Sequence, residues 1–350
     1  MKLLTETSWN AYSNQMKVEC AARRIPQSGT FELTPLCNFK CSMCYIRLDP
    51  EQMSGQGRLR TAGEWLDLGR QALSAGTLFL LITGGEPLAR PDFCRIYDGL
   101  SEMGFVLILF TNGYMFNDEL IIWLSKCPPT KLRITLYGMT DETYQKVCGI
   151  RDGFTVVSRN IKKLLAAGLP LSLAMTVIKD NESDFHAARI WAEELGVEFR
   201  YTREIVKPVR GATSRAESVR FQAGNMSEKI SRSIHPTKAL FPMVNNDPLS
   251  ICGGVDRSFW VTWDGRMSLC TYISSICEHP FEDGLLPAWD RLCDRVRRLK
   301  RPVKCIDCVY QKFCVVCPGA LEAETGDPEM FDESFCTKAK RRYQIYGEGV

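Results

Sequence analysis

The sequence is poor in histidine and has no long hydrophobic run. Its 350 residues include only 3 His, so a site built mainly on imidazole ligands is not expected. No stretch of eighteen apolar residues occurs, which argues against a helical membrane span. The first ten residues lack the apolar region of a secretory signal peptide. The net charge of +3 does not indicate binding to nucleic acid. We therefore expect a cytoplasmic protein without a membrane or nucleic-acid partner.

Cysteine, in contrast, is abundant, with 16 residues. Disulfides are rare in cytoplasmic proteins, so metal ligation is the better explanation for so many thiols. Most of the cysteines form two spaced arrays. Those outside the arrays are expected to behave as small buried hydrophobic side chains; they are Cys20, Cys94, Cys127, Cys148, Cys277 and Cys293.

Residues 31–203 alternate short apolar runs with segments of helical periodicity that commonly end at glycine. The runs predict strands at 30–36, 78–83, 105–110, 132–137, 171–178 and 197–201. The segments predict helices at 62–75, 92–103, 118–125, 154–167 and 183–195, and a further helix is predicted at 7–21. Such alternation predicts βαβ units and a parallel sheet. The expected fold is α/β, an incomplete (β/α)6 TIM-like barrel with a small cysteine-rich C-terminal domain.

Three regions flank the predicted barrel. Residues 1–30 form an N-terminal extension. Residues 204–250 are predicted to be a linker or lid, and residues 251–350 a cysteine-rich domain with a hairpin at 260–269 and helices at 285–299 and 334–346. The basic residues near the linker are expected to form a solvated face or to contact an acidic peptide; they are Arg203, Lys207, Arg210, Arg215 and Arg220.

Two motifs follow the first two predicted strands. Cys37, Cys41 and Cys44 are spaced C-x3-C-x2-C, with Tyr45 directly after them. Three thiolates suit a soft metal or an iron–sulfur cluster, with a zinc site completed by a distant ligand as the alternative. The turn at 84–87 reads GGEP. Its glycines allow a ligand to approach the backbone, and its Glu can accept hydrogen bonds from an ammonium group, although alone it could be a simple turn.

Together the cysteine triplet and the GGEP turn, about forty residues apart, resemble the radical SAM enzymes closely. The resemblance implies that the triplet binds a [4Fe–4S] cluster whose free iron chelates S-adenosylmethionine. An electron from the cluster then splits this cofactor to methionine and a 5′-deoxyadenosyl radical. Residues implied to contact the cofactor are Tyr45, Gly84, Gly85, Glu86, Pro87, Asn112 and Thr135. Arg151 is either a partner for the methionine carboxylate or a surface arginine.

The C-terminal array of thiols resembles the SPASM domain of the same enzymes, which carries two auxiliary [4Fe–4S] clusters. The resemblance assigns one cluster to Cys305, Cys308, Cys314 and Cys336, and the other to Cys252, Cys270 and Cys317. The gap between Cys314 and Cys317 has two residues where three are usual, which puts the local geometry in doubt. A structural zinc ribbon is the alternative for residues 305–317.

The set of Cys252, Cys270 and Cys317 holds only three thiols, because no Cys lies between Cys148 and Cys252. We therefore predict one iron without a cysteine ligand, which is open to a thiolate of the substrate. Water, Asp247 or Cys277 are the alternative ligands.

The resemblance implies an enzyme with three [4Fe–4S] clusters and S-adenosylmethionine as cofactors. The expected activity is that of a radical SAM oxidoreductase or maturase that abstracts hydrogen from a peptide, and a Cys-containing peptide is favoured. A flavodoxin- or ferredoxin-type protein is the expected reductant. The alternatives are a small-molecule radical SAM dehydrogenase, a formylglycine-type protein maturase, or a redox carrier without enzymatic activity. The sequence identifies no catalytic acid or base.

Overall fold

A computed structural model of the chain describes residues 6–221 and 247–346. Its centre is a sheet of strands β1 (Ser28–Glu32), β2 (Phe79–Thr83), β3 (Val106–Thr111), β4 (Lys131–Leu136), β5 (Leu171–Thr176), β6 (Glu198–Thr202), β7 (Ser258–Val261) and β8 (Met267–Ser268). They lie in the order β6-β5-β4-β3-β2-β1-β7-β8. All neighbours are parallel except the β7–β8 pair. The sheet is open, with β6 and β8 at its edges, so the predicted α/β fold with an incomplete barrel is confirmed.

Helices connect the strands of the barrel and continue into the C-terminal region. Those of the described ranges are α1 (Glu6–Ala22), α2 (Pro50–Gln56), α3 (Ala62–Ser74), α4 (Phe93–Glu102), α5 (Asp118–Lys126), α6 (Asp141–Cys148), α7 (Gly153–Ala166), α8 (Phe185–Glu194), α9 (Ala216–Val219), α10 (Pro280–Asp283), α11 (Leu285–Val296), α12 (Pro318–Thr325) and α13 (Glu333–Tyr346). The predicted helices are all found, whereas the short α2, α6, α10 and α12 were not predicted.

Helix α6 shows how capping residues define a short element. The Thr140 hydroxyl accepts a hydrogen bond from the Thr143 N–H at 3.1 Å, and Gly149 ends the helix with a φ of 75°. A hydroxyl N-cap and a left-handed glycine just past the end are the usual signals for helix boundaries. The helix places Val147 and Cys148 in the core, next to the loop that follows β1.

Strand β1 ends at Glu32, four residues earlier than predicted. The Leu33 N–H still donates to the Thr83 carbonyl at 2.8 Å, but regular pairing stops there. Pro35 has no N–H to offer a neighbouring strand, and the chain leaves the sheet as an irregular loop up to Cys44. The carboxyl ends of the parallel strands meet at this edge of the sheet, which is where such folds place their sites.

The C-terminal region continues the barrel sheet. Strand β7 pairs in parallel with β1, from Ser28 opposite Ser258 to Phe31 opposite Val261. The predicted hairpin is present as β7 and β8, and its turn contains Gly265 with a φ of 96°. On the outer side, the indole N–H of the buried Trp289 donates to the Arg24 carbonyl at 2.6 Å. Strand β1, which leads to the cysteine triplet, is therefore paired on one side with a strand from the C-terminal region.

The described part of the predicted linker, residues 204–221, packs against both halves of the chain. The Val209 N–H donates to the Tyr45 carbonyl at 2.9 Å, and the Lys207 Nζ donates to the Glu324 carbonyl at 3.0 Å. The expectation of a solvated basic face is wrong for Arg210, because its side chain is 6% exposed and pairs with the buried Glu32. Residues 222–246, which include most of the predicted linker, lie outside the described residues.

Candidate active site

The loop that carries Cys37, Cys41 and Cys44 is held by buried aromatic packing and by helix α6. The fully buried Phe39 ring lies 5.5 to 6.3 Å from the rings of Tyr114, Tyr137 and Tyr144. The Lys40 N–H donates to the Cys148 carbonyl at 2.9 Å, and the Ser42 N–H donates to the Val147 carbonyl at 2.8 Å. These contacts fix the loop so that all three thiols line one cavity of about 270 Å³.

The pKa values of all three thiols are raised inside this cavity. Burial and the neighbouring Cys41 raise the pKa of Cys37 far above its usual range, and the same causes raise the pKa of Cys44 to about 11. The pKa of Cys41 is also raised, first by its hydrogen bond with the Cys148 thiol and then by burial. Buried thiolates this close together need a positive centre to be stable, and the irons of a cluster would provide one.

A single zinc ion and an iron–sulfur cluster differ in how far apart they hold their thiolate ligands. Ligands of one tetrahedral zinc lie about 4 Å from one another, given metal–sulfur distances of about 2.3 Å. Within residues 6–221 and 247–346, no group of three or more His, Cys, Asp or Glu is placed to hold one ion. The thiols of an iron–sulfur cluster bind different irons and are spread more widely.

Gly84 and Gly85 line the same cavity and touch the backbone that leads to the cysteine loop. The Gly85 N–H donates to the Thr34 carbonyl at 2.7 Å, and the Glu86 N–H donates to the Leu36 carbonyl at 2.9 Å. A Cβ on Gly84 would lie 2.6 Å from the Thr34 oxygen, and one on Gly85 would lie 2.4 Å from the Leu36 oxygen. Only glycine allows this approach, which brings the turn beside the thiols.

The carboxylate of Glu86 is fully buried behind the cavity wall. It accepts hydrogen bonds from the Leu88 N–H at 3.1 Å, the Thr111 hydroxyl at 2.8 Å and the Asn112 N–H at 2.8 Å. Burial raises the pKa of this carboxyl group to about 7, and the effect of burial exceeds that of the three hydrogen bonds, which lower the pKa. Glu86 is not among the residues that line the cavity, and neither is Pro87, which begins a 3-10 turn at Pro87–Ala89. The carboxylate thus joins the end of β2 to the end of β3.

Three of the other predicted cofactor contacts line the cavity: Tyr45, Asn112 and Thr135. The Asn112 side chain donates from Nδ2 to Asn38 Oδ1 at 2.7 Å and lies 3.8 Å from Cys37 Sγ. The ring of Tyr45 contacts the ring of Tyr272 with centroids 5.3 Å apart. Arg151, in contrast, is exposed on the turn after α6 and is not among the lining residues.

A set of threonines at the strand ends was not recognised as a group from the sequence. The last residue of β2, β3, β5 and β6 is a threonine that lines the cavity, and Thr135 occupies the equivalent edge of β4. The set is Thr83, Thr111, Thr135, Thr176 and Thr202. Hydroxyl groups both donate and accept hydrogen bonds, so this edge can bind several polar groups of a ligand. The signal in the sequence was a Thr at, or within two residues of, the end of each of these predicted strands.

Electrostatic interactions connect the C-terminal thiols in two sets, and the assignment of each set to a cluster stays a prediction. In the first, burial and the neighbouring Cys317 and Cys252 raise the pKa of Cys270 to about 12. In the second, burial and the neighbouring Cys336, Cys314 and Cys308 raise the pKa of Cys305. The groups are therefore Cys252, Cys270 and Cys317, and Cys305, Cys308, Cys314 and Cys336.

The described contacts of the two protein candidates for a fourth ligand, Cys277 and Asp247, do not include the thiols of the first group. The charged neighbours that perturb Cys277 are Arg266, Arg295, Glu278 and Asp264, with no thiol among them. The Asp247 carboxylate is engaged locally, because its Oδ1 accepts the Leu249 N–H at 2.8 Å. Within the described residues, the first group consists of three thiols.

A second cavity of about 470 Å³ adjoins the first. The two share a wall made of Glu204, Ile205, Val206 and Tyr272. Cys314 and Cys317, one from each C-terminal group, line the second cavity. One thiol of each C-terminal group therefore lies on a cavity that is separated from the triplet's cavity by this wall.

In the part of the chain that the structure describes, no helix is both long and apolar enough to span a bilayer.

Comparisons with known proteins are consistent across sequence and structure. Residues 31–192 match the Radical SAM superfamily. The chain is 24% identical over 345 residues to the AdoMet-dependent heme synthase of Methanosarcina barkeri, covering 90% of this chain and 97% of that protein. It is 29% identical over 163 residues to the sporulation killing factor maturation protein SkfB of Bacillus subtilis, covering 46% of this chain and 38% of that protein.

Among solved structures, SuiB of Streptococcus suis shares the fold. It superposes with a TM-score of 0.69 at 15% sequence identity, covering 95% of this chain and 84% of that chain. A related structure shows SuiB bound to its precursor peptide SuiA.

Proposed function

Because the chain contains a radical SAM domain at residues 31–192, we propose that it cleaves S-adenosylmethionine reductively and uses the resulting 5′-deoxyadenosyl radical to modify a peptide. The family relationship makes the chain an enzyme that works with a [4Fe–4S] cluster and S-adenosylmethionine. The observation that carries the peptide proposal is the second cavity of about 470 Å³, which offers space for a substrate beside the cavity proposed to hold the cofactor.

In this proposal the residues around the first cavity bind and orient the cofactors. Cys37, Cys41 and Cys44 hold the cluster, and the backbone of Gly84 and Gly85 accepts hydrogen bonds from the ammonium group. When bound, the cluster and S-adenosylmethionine supply the radical, while the protein positions the reactants and excludes water. The hydroxyl groups at the strand ends and Asn112 offer further hydrogen bonds to the cofactor, and Tyr45 packs beside it.

The two C-terminal groups of thiols are proposed to hold two auxiliary [4Fe–4S] clusters, as in a SPASM domain. Support comes from the grouping of the thiols and from their position on the second cavity. Clusters in these positions would lie beside the substrate and could accept an electron when a crosslink forms. The protein would then contain three clusters.

The walls of the second cavity favour a neutral or apolar part of a substrate. Its cations are already paired, with Lys338 Nζ 3.3 Å from Glu204 and Arg220 2.5 Å from Glu324. Between these pairs lie apolar side chains such as Val316 and Phe335. Such a surface suits side chains of a peptide. The names of two relatives support this class, since SkfB is a maturation protein and SuiB binds a precursor peptide.

A second candidate function is a radical SAM reaction on a small molecule. The observation that favours it is the likeness to the AdoMet-dependent heme synthase, which extends over 90% of this chain and so includes the cysteine-rich C-terminal region. The likeness to SkfB covers 46% of this chain. The paired cavities would in this case hold one bulky small molecule.

Cofactor cleavage is tested by anaerobic reconstitution with iron and sulfide, followed by addition of dithionite and S-adenosylmethionine. Release of 5′-deoxyadenosine is expected, and its absence from a cluster-loaded protein would refute the enzyme proposal. The control is a variant in which Cys37, Cys41 and Cys44 are all replaced by Ala.

Substrate class is tested by co-expressing the protein with short peptides encoded beside its gene and measuring their masses. Loss of hydrogen from a peptide, in the presence of the wild-type protein but not of the triple variant, is the expected result. If no such peptide changes mass while a small molecule from an extract is consumed, the second candidate function is correct.

A further inference from the structure

A third depression lies against the cysteine loop, outside the two cavities described above. It has a volume of about 290 Å³. Cys41 and Cys44 line both this depression and the first cavity. The loop is therefore a thin partition, with the first cavity on one side and the depression on the other.

The depression is lined by cations and has no carboxylate in its wall. Its charged residues are Lys40 and Arg47 from the cysteine loop, Lys146 from α6, and Arg215 from the segment that precedes α9. Lys146 pairs with Asp180 at 3.0 Å. Among the residues that the structure describes, Lys40, Arg47 and Arg215 form no ion pair with a carboxylate. Positive charge concentrated in a concave surface attracts an acidic partner and steers its approach.

Two buried polar atoms of the wall have no hydrogen-bond partner. Ser42 is 6% exposed, and its hydroxyl makes no hydrogen bond within the described structure. The Arg47 Nε is likewise buried without a partner. Buried polar groups in folded proteins are almost always satisfied, and one left alone costs about 1–3 kcal/mol. Both atoms are hydrogen-bond donors, but each is shielded from solvent in this conformation, so the charges of Lys40, Arg47 and Arg215 supply the attraction for an acidic partner.

On these observations we propose that the depression is the docking site for the electron donor, a small acidic redox protein that inserts a carboxylate among Lys40, Arg47 and Arg215. This inference rests on the proposed function, which needs one electron for each cofactor molecule cleaved. The donor is oxidised by one electron, and the cluster passes from its 2+ to its 1+ state. Through Cys41 and Cys44 the electron reaches the cluster without the donor entering the cavity that holds the cofactor.

Binding is measured with the reconstituted protein and an oxidised, fluorescently labelled flavodoxin as the probe. The variant is Lys40→Glu with Arg215→Glu, because both side chains are exposed and neither is a cluster ligand. The dissociation constant at low ionic strength is expected to rise at least about tenfold. Wild-type binding should weaken as salt is added, because the contact is electrostatic.

The matched control is Lys126→Glu with Lys162→Glu. These lysines are also exposed, and their replacement changes the net charge by the same amount, but they lie on α5 and α7 and do not line the depression. The control variant should bind the probe as the wild type does. An equal loss in both variants would show that only net charge matters and would overturn the proposal.

Electron delivery is measured separately by reducing the cluster with photoreduced flavodoxin or with dithionite. The Lys40→Glu, Arg215→Glu variant is expected to release 5′-deoxyadenosine normally with dithionite but at least about tenfold more slowly with subsaturating flavodoxin. If the wild type releases none with dithionite, the proposed function fails. If the wild type does cleave the cofactor and the variant accepts electrons from flavodoxin at the wild-type rate, the docking proposal alone fails.

Two further results are decisive. Should the double Glu variant fail to fold, the milder Lys40→Gln, Arg215→Gln variant is expected to show a smaller loss of flavodoxin binding, and unchanged binding would overturn the proposal.

The alternative occupant of the depression is the peptide substrate. Dithionite-driven peptide modification that falls in the variant, with flavodoxin binding unchanged, would establish that role and overturn this one.

Discussion

Arg210 and Glu32 form a two-point ion pair in the interior of the protein. The guanidinium nitrogens lie 2.8 and 2.7 Å from the two carboxylate oxygens, and the side chains are 6% and 0% exposed. The Trp260 indole N–H also donates to the same carboxylate at 3.0 Å. Glu32 is the last residue of β1, Arg210 lies in the segment after β6, and Trp260 belongs to β7. One carboxylate therefore connects three parts of the chain.

We predict that Arg210→Ala lowers the free energy of unfolding by about 3–5 kcal/mol, because it leaves the Glu32 carboxylate buried without a cation. Denaturation by guanidinium, followed by circular dichroism, measures this change. The comparison is Lys163→Ala, which removes an exposed pair with Asp118 and should cost less than about 1 kcal/mol. Similar losses in the two variants would show that burial of the pair is unimportant.

Replacing Cys37, Cys41 and Cys44 together by Ala is predicted to abolish cleavage of S-adenosylmethionine and to remove about four irons per chain. The C-terminal thiols lie in separate groups, so their clusters should remain. Iron analysis and 5′-deoxyadenosine release measure the two effects. Cys94→Ala, at an exposed thiol outside the groups, is the control and should change neither. Cleavage that survives in the triple variant would contradict the assignment.

The Glu86→Ala variant is predicted to bind S-adenosylmethionine at least about tenfold more weakly while keeping its iron. The carboxylate accepts hydrogen bonds from the Asn112 N–H and the Thr111 hydroxyl. Its loss leaves these buried donors without an acceptor, which costs about 1–3 kcal/mol for each donor. The neighbouring residues that line the cavity should then shift. Equilibrium binding to the reconstituted protein measures the effect. Normal affinity in the variant would show that the carboxylate matters only for the turn.

Glu86 also gives a prediction about pH. Its pKa in the folded protein is about 7, raised from an ordinary value near 4.5. Between these values the folded state holds the proton and the unfolded state does not, so stability falls as pH rises. The expected loss is about 3 kcal/mol between pH 5 and pH 8. Unfolding measured across this range should show the loss in the wild type and a smaller slope in Glu86→Gln. Parallel curves would refute the prediction.

The cluster at Cys252, Cys270 and Cys317 is predicted to have one iron without a cysteine ligand, open to a substrate thiolate. Paramagnetic resonance of this cluster should change when a Cys-containing peptide is added, and should not change with the same peptide in which Ser replaces Cys. An unchanged signal at saturating peptide would rule out direct ligation. Structural evidence of a fourth protein thiolate within about 2.3 Å of that iron would rule out the open site itself.

Much of the barrel could be predicted because its signals are local. The apolar run at Phe79–Thr83 and helix α4, which ends at Glu102 shortly before Gly104, each follow from a few consecutive residues. The proximity of thiols within each array could be predicted for the same reason, since thiols close in sequence, such as Cys305 and Cys308, must also be close in space.

The features that were missed depend on residues far apart in the chain. The pairing of β1 with β7 brings residue 28 beside residue 258, which no local pattern specifies. The burial of Arg210 depends on Glu32, 178 positions away. The orientation of Glu86 depends on donors from the end of β3. The residues next to a glutamate in the sequence do not indicate whether its carboxylate is buried or exposed. Helix α6 was missed because its sequence, DETYQKVC, is mostly polar and shows little apolar periodicity.

The pairing of β1 with β7 has a practical consequence for dissecting this protein. A fragment that ends after β6 would retain the whole region that matches the superfamily, yet β1 would become an edge strand with unpaired backbone groups. Exposed edges of this kind promote association between chains. The Glu32 carboxylate would lose the Trp260 and Arg210 donors in the same fragment. Aggregation of such a fragment would therefore say nothing about its cluster, and deletion studies should instead remove the C-terminal thiols from the intact chain.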